Sequence, residues 1–194
     1  MYYTSGAMKR LGRLLGVAML AAVAACDAGG SASSINAGSP SEKLDYANGH
    51  PLTLPNSDPG VAVFETELLR LVNDHRLDLG LAPLIPATRL GDAARAHCQH
   101  MIDHRFFAHA SPEGLTPSER LTLANLDWSS VGENIAAGYS TPQAVFDAWL
   151  ASDEHRANME SDRFTYAGAG YAQDADPTPE FPQVHYWAIA FLRR

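Results

Sequence analysis

The sequence predicts an α+β domain built as a three-layer α-β-α sandwich. Three observations carry that expectation. Helical periodicity dominates the first half of residues 61–194, strand-like alternation replaces it near the C-terminus, and the last strand is apolar on both faces.

Phe64, Leu68, Leu71, Val72, His75 and Leu79 recur at helical spacing, and Gly80 stands where a left-handed helix terminator is common. Leu90, Ala94, His97, Cys98 and Met101 form a second such stripe, which ends before Phe106 and Phe107. Pro117 opens a short helical piece through Leu123. Thr141 before Pro142 is an N-cap residue before a proline in the first turn, and Val145, Phe146, Trp149 and Leu150 give that helix a wide apolar face. From Tyr166 to Ala172 the chain alternates with glycines. From Val184 to Leu192 it carries Val184, Tyr186, Ala188, Ala190 and Leu192 on one face and His185, Trp187, Ile189 and Phe191 on the other, the pattern of an inner strand covered on both sides. The proline-broken stretch Asp174–Pro179 joins the two as a hairpin loop. Nothing repeats internally.

The N-terminal 25 residues contain Lys9, Arg10 and Arg13 but no acid, and they close in an apolar run from Leu14 to Ala25. That run is too short to span a bilayer and suits a signal-peptide core. Val23-Ala24-Ala25-Cys26 resembles the lipobox of bacterial lipoproteins, which implies lipidation at Cys26 and anchoring by acyl chains. An ordinary secretory cleavage near Ala25 and an uncleaved apolar N-terminus are the alternatives. Residues 26–60 are rich in Gly, Ser, Ala, Asn and Pro and read as a flexible tether of roughly 30 Å average span. Residues 61–194 are long enough for one domain with roughly two thirds of its unfolded surface buried. The expected location is the bacterial cell envelope, on the periplasmic or the extracellular side.

The chain has a formal net charge of −8, and loss of the leader would leave 11 cations against 22 acids. Such a surface disfavours nucleic acid and anionic membrane faces as electrostatic partners. With Cys26 lipidated, Cys98 has no intramolecular partner, and in an Ala-rich helix it reads as a small buried hydrophobe. There is no Gly-x-Ser-x-Gly elbow, no phosphate-binding glycine loop and no motif context for a thiol nucleophile.

Several segments do carry potential chemistry. Asn73-Asp74-His75-Arg76 is followed by Gly80-Leu81-Ala82-Pro83-Leu84; Phe107-Ala108-His109 is followed by Ser111; Gly132-Glu133-Asn134 precedes Trp149, Ser152, His155, Arg156 and Asn158; and His185-Tyr186 opens the last strand. In order and spacing these resemble the bacterial branch of the CAP superfamily, the SCP-like extracellular proteins. The resemblance implies the CAP/SCP sandwich and a cleft in which two histidines and two acids face one another, sometimes around a divalent metal. It assigns His109 and Glu133 directly. The second histidine is His155 by the bacterial pattern or His185 by the eukaryotic strand motif. The usual position of the second acid holds Ser152, which leaves Asp153 and Glu154 as candidates by proximity.

Each residue also has a plainer role open to it. Glu133 can accept backbone N–H bonds in a loop, and His155 can cap the helix before it. His185 can be a core or rim histidine, and Asn134 a turn residue. His97, His100 and His104 lie along one side of a helix, and the His100–His104 spacing of four can hold a metal. Without an acid in the zinc-protease arrangement, packing is the competing role for His97 and His104.

The function expected on this basis is that of a non-catalytic, envelope-tethered module. It would bind a small ligand, a lipid or an envelope component through His109, Glu133, His155 and His185, with His109 and His155 able to hold zinc. The alternative is a metal-dependent hydrolase of peptide or cell-wall substrates, in which His109 and either His155 or His185 hold the ion while Glu133 activates water.

Overall fold

The most apolar strand of the chain sits at the centre of the sheet and organises everything else. The computed structural model describes residues 59–194, so the expected leader, Cys26 and the tether to residue 58 lie outside the described residues. The elements run α1 (Pro59–Asp78), β1 (Ile85–Pro86), α2 (Thr88–Asp103), α3 (Pro117–Leu123), β2 (Ser130–Ala137), α4 (Pro142–Leu150), α5 (Asp153–Glu160), β3 (Tyr166–Gln173) and β4 (His185–Arg193). The four strands are ordered β1-β3-β4-β2, with β1 parallel to β3 and the other pairs antiparallel. The fold is therefore α+β, as expected, and its sheet is mixed.

Strand β4 lies between β3 and β2, and its alternating side chains feed two separate cores. Trp187, Ile189 and Phe191 pack with Leu68, Val72, Val145 and Trp149 from α1 and α4. Tyr186, Ala188, Ala190 and Leu192 pack with Leu90, Ala94, Cys98 and Met101 from α2 and with Leu121 from α3. Those two faces are the outer interfaces of the three layers. Cys98 is fully buried, and burial pushes its thiol well above the ordinary range, which matches a packing role.

The helix boundaries follow local chemistry where such chemistry exists. Thr116 and Glu119 form a reciprocal capping box at the start of α3, with Pro117 in the first turn. The Thr141 side chain accepts from the Ala144 amide at the start of α4. Gly80 ends the first helical region at φ 73°.

The Asn73–Arg76 motif is scaffolding. The Asn73 side chain both donates to the Leu84 carbonyl (2.9 Å) and accepts from the Leu84 amide (2.8 Å), mimicking a strand partner. Arg76, 2% exposed, donates to the carbonyls of Ala82, Met159 and Ser161, which ties the end of α1 to α5. Burial lowers its pKa, and the charge of Asp162 only partly opposes the shift.

Two short elements depart from the expectations. Ser130–Ala137 is a strand, not a loop, so Glu133 and Asn134 are mid-strand residues. Asp153–Glu160 is a helix of its own, so His155 sits within a helix and does not cap the one before it. Polar residues at the centre of each segment interrupt the apolar period, and tertiary partners supply what the period lacks.

Candidate functional site

Strand β2 is the sheet edge next to β4, and its pairing register decides which way its polar residues face. Glu133 pairs with Ala190 and Asn134 with Ile189. Glu133 consequently points to the α2 side and Asn134 to the α4–α5 side. Gly132, just before Glu133, leaves room for the Phe164 ring, since a Cβ there would lie 2.6 Å from its Cζ.

Glu133 is 6% exposed and both of its oxygens are held. Oε1 accepts from His109 Nδ1 at 2.8 Å, and Oε2 accepts from Arg120 Nη2 at 2.6 Å. His97 Nε2 lies 4.0 Å from Oε1 and donates to the Ala108 carbonyl at 3.0 Å. Burial alone would raise the Glu133 carboxyl; the Arg120 guanidinium, followed by the His97 and His109 rings, outweighs it and brings the value down to about 2. Burial also leads in lowering His97 to about 3, with Arg120 adding to the shift and the Glu133 charge opposing it.

Because a carboxylate only accepts, His109 Nδ1 carries the proton of that bond, and Nε2 is the nitrogen left to face a ligand. That Nε2 is buried without a hydrogen-bond partner. His155 presents the same feature: Nδ1 meets Ser152 Oγ at 2.9 Å, and Nε2 is buried without a partner. Burial first, then the charge of His109, lowers the His155 pKa to about 4, so the two rings are within electrostatic reach. Each ring thus offers a buried nitrogen without a hydrogen-bond partner, a donor type that fits a divalent metal with a carboxylate behind one imidazole.

The placement of His155 is set by its neighbours on α4, α5 and β2. Its ring stacks on Trp149 (6.2 Å between centroids), whose indole donates to the Ile135 carbonyl. Asn134, fully buried, donates to the His155 carbonyl at 3.0 Å and accepts from Asn158 at 2.9 Å. Asn134 thus fastens α5 to the strand that bears Glu133.

The structure joins His109 to Glu133, sets His155 within electrostatic reach of His109, and leaves His185 apart. His185 lies on the Trp187 face of β4, opposite the face of Glu133, and its Nδ1 meets the Tyr171 hydroxyl at 2.7 Å. Asp153 is bound to Arg156, and it and Glu154 occupy the exposed first turn of α5, so neither joins Glu133. Two residues of the site escaped the sequence reading. Arg120 was unassigned, although a buried acid requires a cation and the capping box of α3 fixes where this one points. His97, expected to pack, lies beside the acid.

The site is nearly closed, with His109 7% and His155 4% exposed. Among the described residues, the one group of three potential ligands whose donor atoms all lie within 4.8 Å of one another is elsewhere, at His100, His104 and Glu113.

Residues 69–191 match the CAP family, described as the cysteine-rich secretory protein family. The chain belongs to that family. Among its relatives, the uncharacterized protein YkwD of Bacillus subtilis is 35% identical over 121 residues, 62% of this chain and 47% of that protein. The uncharacterized membrane protein YlbC of the same organism is 31% identical over 106 residues, covering 55% and 31% respectively. The chain spans less than half the length of either. In solved structures, an extracellular Bacillus anthracis protein containing a SCP domain superposes with a TM-score of 0.62 at 26% identity, over 73% of this chain and 45% of that one. An outer surface protein of Borrelia burgdorferi shares the fold at 21% identity and a TM-score of 0.58, over 66% and 91%. The sequence holds two cysteines, and Cys98, which is free and buried, is the one among the described residues, so no disulfide staples the described core. Among the described residues no helix is long and apolar enough to cross a membrane.

The buried charges give the CAP domain a defined acid response. A carboxyl held below its ordinary value of 4.5 stabilises fully above that value and loses its share as pH falls through about 2. His97 and His155 act in the same direction: the unfolded chain protonates them below 6.5, the fold only near 3 and 4. Over that range the unfolded chain binds more protons, and stability falls with pH. With EDTA present, Tm should decline from pH 6.5 downward, and His155→Gln should flatten the curve between pH 6.5 and 4. An equal slope in the variant would remove His155 from this account.

Proposed function

We propose that this CAP domain is an envelope-tethered binding module that is not itself an enzyme, with the Nε2 atoms of His109 and His155 as its contact group. The observation that carries the reading is the state of Glu133. A general base needs a free oxygen and a value near the working pH, whereas this carboxylate is clamped by Arg120 and sits at about 2. It is suited instead to fixing the tautomer and orientation of His109. The small exposure of both rings favours a metal ion or a compact polar group of a ligand, lipid or envelope component over a bulky polymer. Zinc would take His109 and His155 as two of its ligands and leave its other positions to water or to the bound group.

The tether through Cys26 is part of this proposal, in keeping with the lipobox-like segment and with the extracellular and outer-surface descriptions of two structural neighbours. Native mass spectrometry of the purified chain, compared with a His109→Ala/His155→Ala double variant, tests it. An adduct present in the first and absent from the second is the expected result. Turnover of a peptide or cell-wall substrate that Glu133→Gln abolishes without unfolding the domain would replace this reading with the hydrolase.

A further inference from the structure

The last turn of α2 carries an imidazole pair that the cleft does not use. His100 and His104 are four residues apart on one side of the helix, with ring centroids 4.3 Å apart and planes at 82°. The helix ends at Asp103, and Arg105 at φ 52° turns the chain back across the helix end. Phe106 then anchors the return, with its amide on the Met101 carbonyl and its ring edge-on to His100 at 5.3 Å.

Further along the same segment, a tight turn places an acid against this pair. The Gly114 amide donates to the Ser111 carbonyl at 2.8 Å, and the Ser111 amide to the Leu115 carbonyl at 3.0 Å. Glu113, near the tip of that turn, brings Oε1 to 3.6 Å from His100 Nε2. The acid lacking from a zinc-protease arrangement on the helix thus arrives from the loop.

We propose that His100, His104 and Glu113 form a site for a divalent transition metal, zinc foremost, separate from the His109–Glu133–His155 group. Their donor atoms all lie within 4.8 Å of one another. In a tetrahedral zinc site with bonds near 2.0–2.1 Å, ligand atoms stand about 3.3 Å apart, so His100 and Glu113 are already near bonding separation. The remaining adjustment falls on His104, an exposed side chain free to rotate about its own bonds. Two imidazoles and one carboxylate are a donor set that suits zinc, and solvent reaches the exposed side of the group to supply a water as fourth ligand.

The site has a structural consequence for the neighbouring cleft. The segment that bears Glu113 also bears His109, and it is held at the His109 and Leu115 carbonyls by Arg120, at the Ala108 carbonyl by His97 and at the His109 ring by Glu133. A metal joining Glu113 to α2 adds a fastening between the Ser111–Leu115 turn and the helix, and restrains the segment that presents His109. The ion is structural in this role, and the proposal does not rest on the cleft being a binding site.

The test uses the full chain, purified without an affinity tag, stripped of metal and titrated with zinc chloride by calorimetry. His104 and Glu113 are exposed, so His104→Ala and Glu113→Gln should leave the fold intact, which circular dichroism verifies. His155→Ala separates this site from the cleft. The zinc affinity of this site should fall by roughly tenfold or more in His104→Ala and Glu113→Gln and should survive His155→Ala, whatever zinc the cleft itself takes. Zinc should also raise the Tm of the parent chain and not that of His104→Ala. Binding that survives both α2-site variants, or no binding to the parent chain at micromolar zinc, overturns the proposal. A further zinc lost only in His155→Ala would belong to the cleft and would leave this site standing if the first affinity is still lost in His104→Ala.

Discussion

Arg120→Met should destabilise the domain by about 3–5 kcal/mol in urea unfolding, among the largest effects of any single substitution outside the apolar core. The reason is what Arg120 leaves behind. Its side chain, 2% exposed, donates to Glu133 Oε2 at 2.6 Å, to the His109 carbonyl at 2.5 Å and to the Leu115 carbonyl at 3.1 Å. Methionine restores much of the volume and none of the donors, so a carboxylate stays buried without its main counter-charge, and two carbonyls lose a partner. Arg120→Lys should fall between the two, since one ammonium cannot span three separated acceptors. Adding Glu133→Gln to Arg120→Met should recover part of the loss, because it removes the stranded charge. A cost below about 1 kcal/mol for Arg120→Met would mean that water or another group already neutralises Glu133.

That network also marks where sequence reasoning stops. The central strand β4 was legible because a segment apolar at both odd and even positions needs cover on two sides, and Trp187 and Ala188 found it in different layers. The α3 boundaries were legible because Thr116, Pro117 and Glu119 carry their own capping chemistry. Strand β2 was not, because Glu133 and Asn134 interrupt its apolar run, and only Arg120 on one side and α5 on the other make their burial tolerable. The eight residues of α5 bury just His155 and Met159, too little for a readable period. The pairing of His109 with Glu133 could be expected from motif resemblance. The parting of His185 from them could not, because it depends on the β2–β4 register, which alternation within either strand leaves open.

Gly170→Ala should cost about 3 kcal/mol or more, an unusually large penalty for adding one methyl group. Strand β3 meets α2 through glycines: a Cβ on Gly170 would lie 2.1 Å from the Arg95 amide nitrogen and 2.4 Å from the Ala94 carbonyl carbon, and one on Gly168 would lie 2.1 Å from the Gly91 nitrogen. The obstructing atoms are helix backbone, so no side chain can swing aside, and α2 itself must lift from the sheet. That movement would strain more than packing. Arg95 on this helix pairs with Glu65, and Glu65 in turn accepts from the Tyr171 amide at 3.0 Å, so the shift pulls on a half-buried ion pair that closes β3. His97, two residues further on, would withdraw from Glu133 and from the Ala108 carbonyl. The expected result is a lower urea midpoint together with a changed histidine spectrum at His97 and His109 by NMR. A Gly114→Ala control separates the two kinds of glycine: its φ of 90° is strained for alanine, yet nothing lies within 4 Å of the added methyl. Its cost should come from the turn alone and leave the His97 signals in place. If Gly170→Ala were no worse than this control, α2 would have slack against the sheet, and the depth at which His97 meets Glu133 would need another cause.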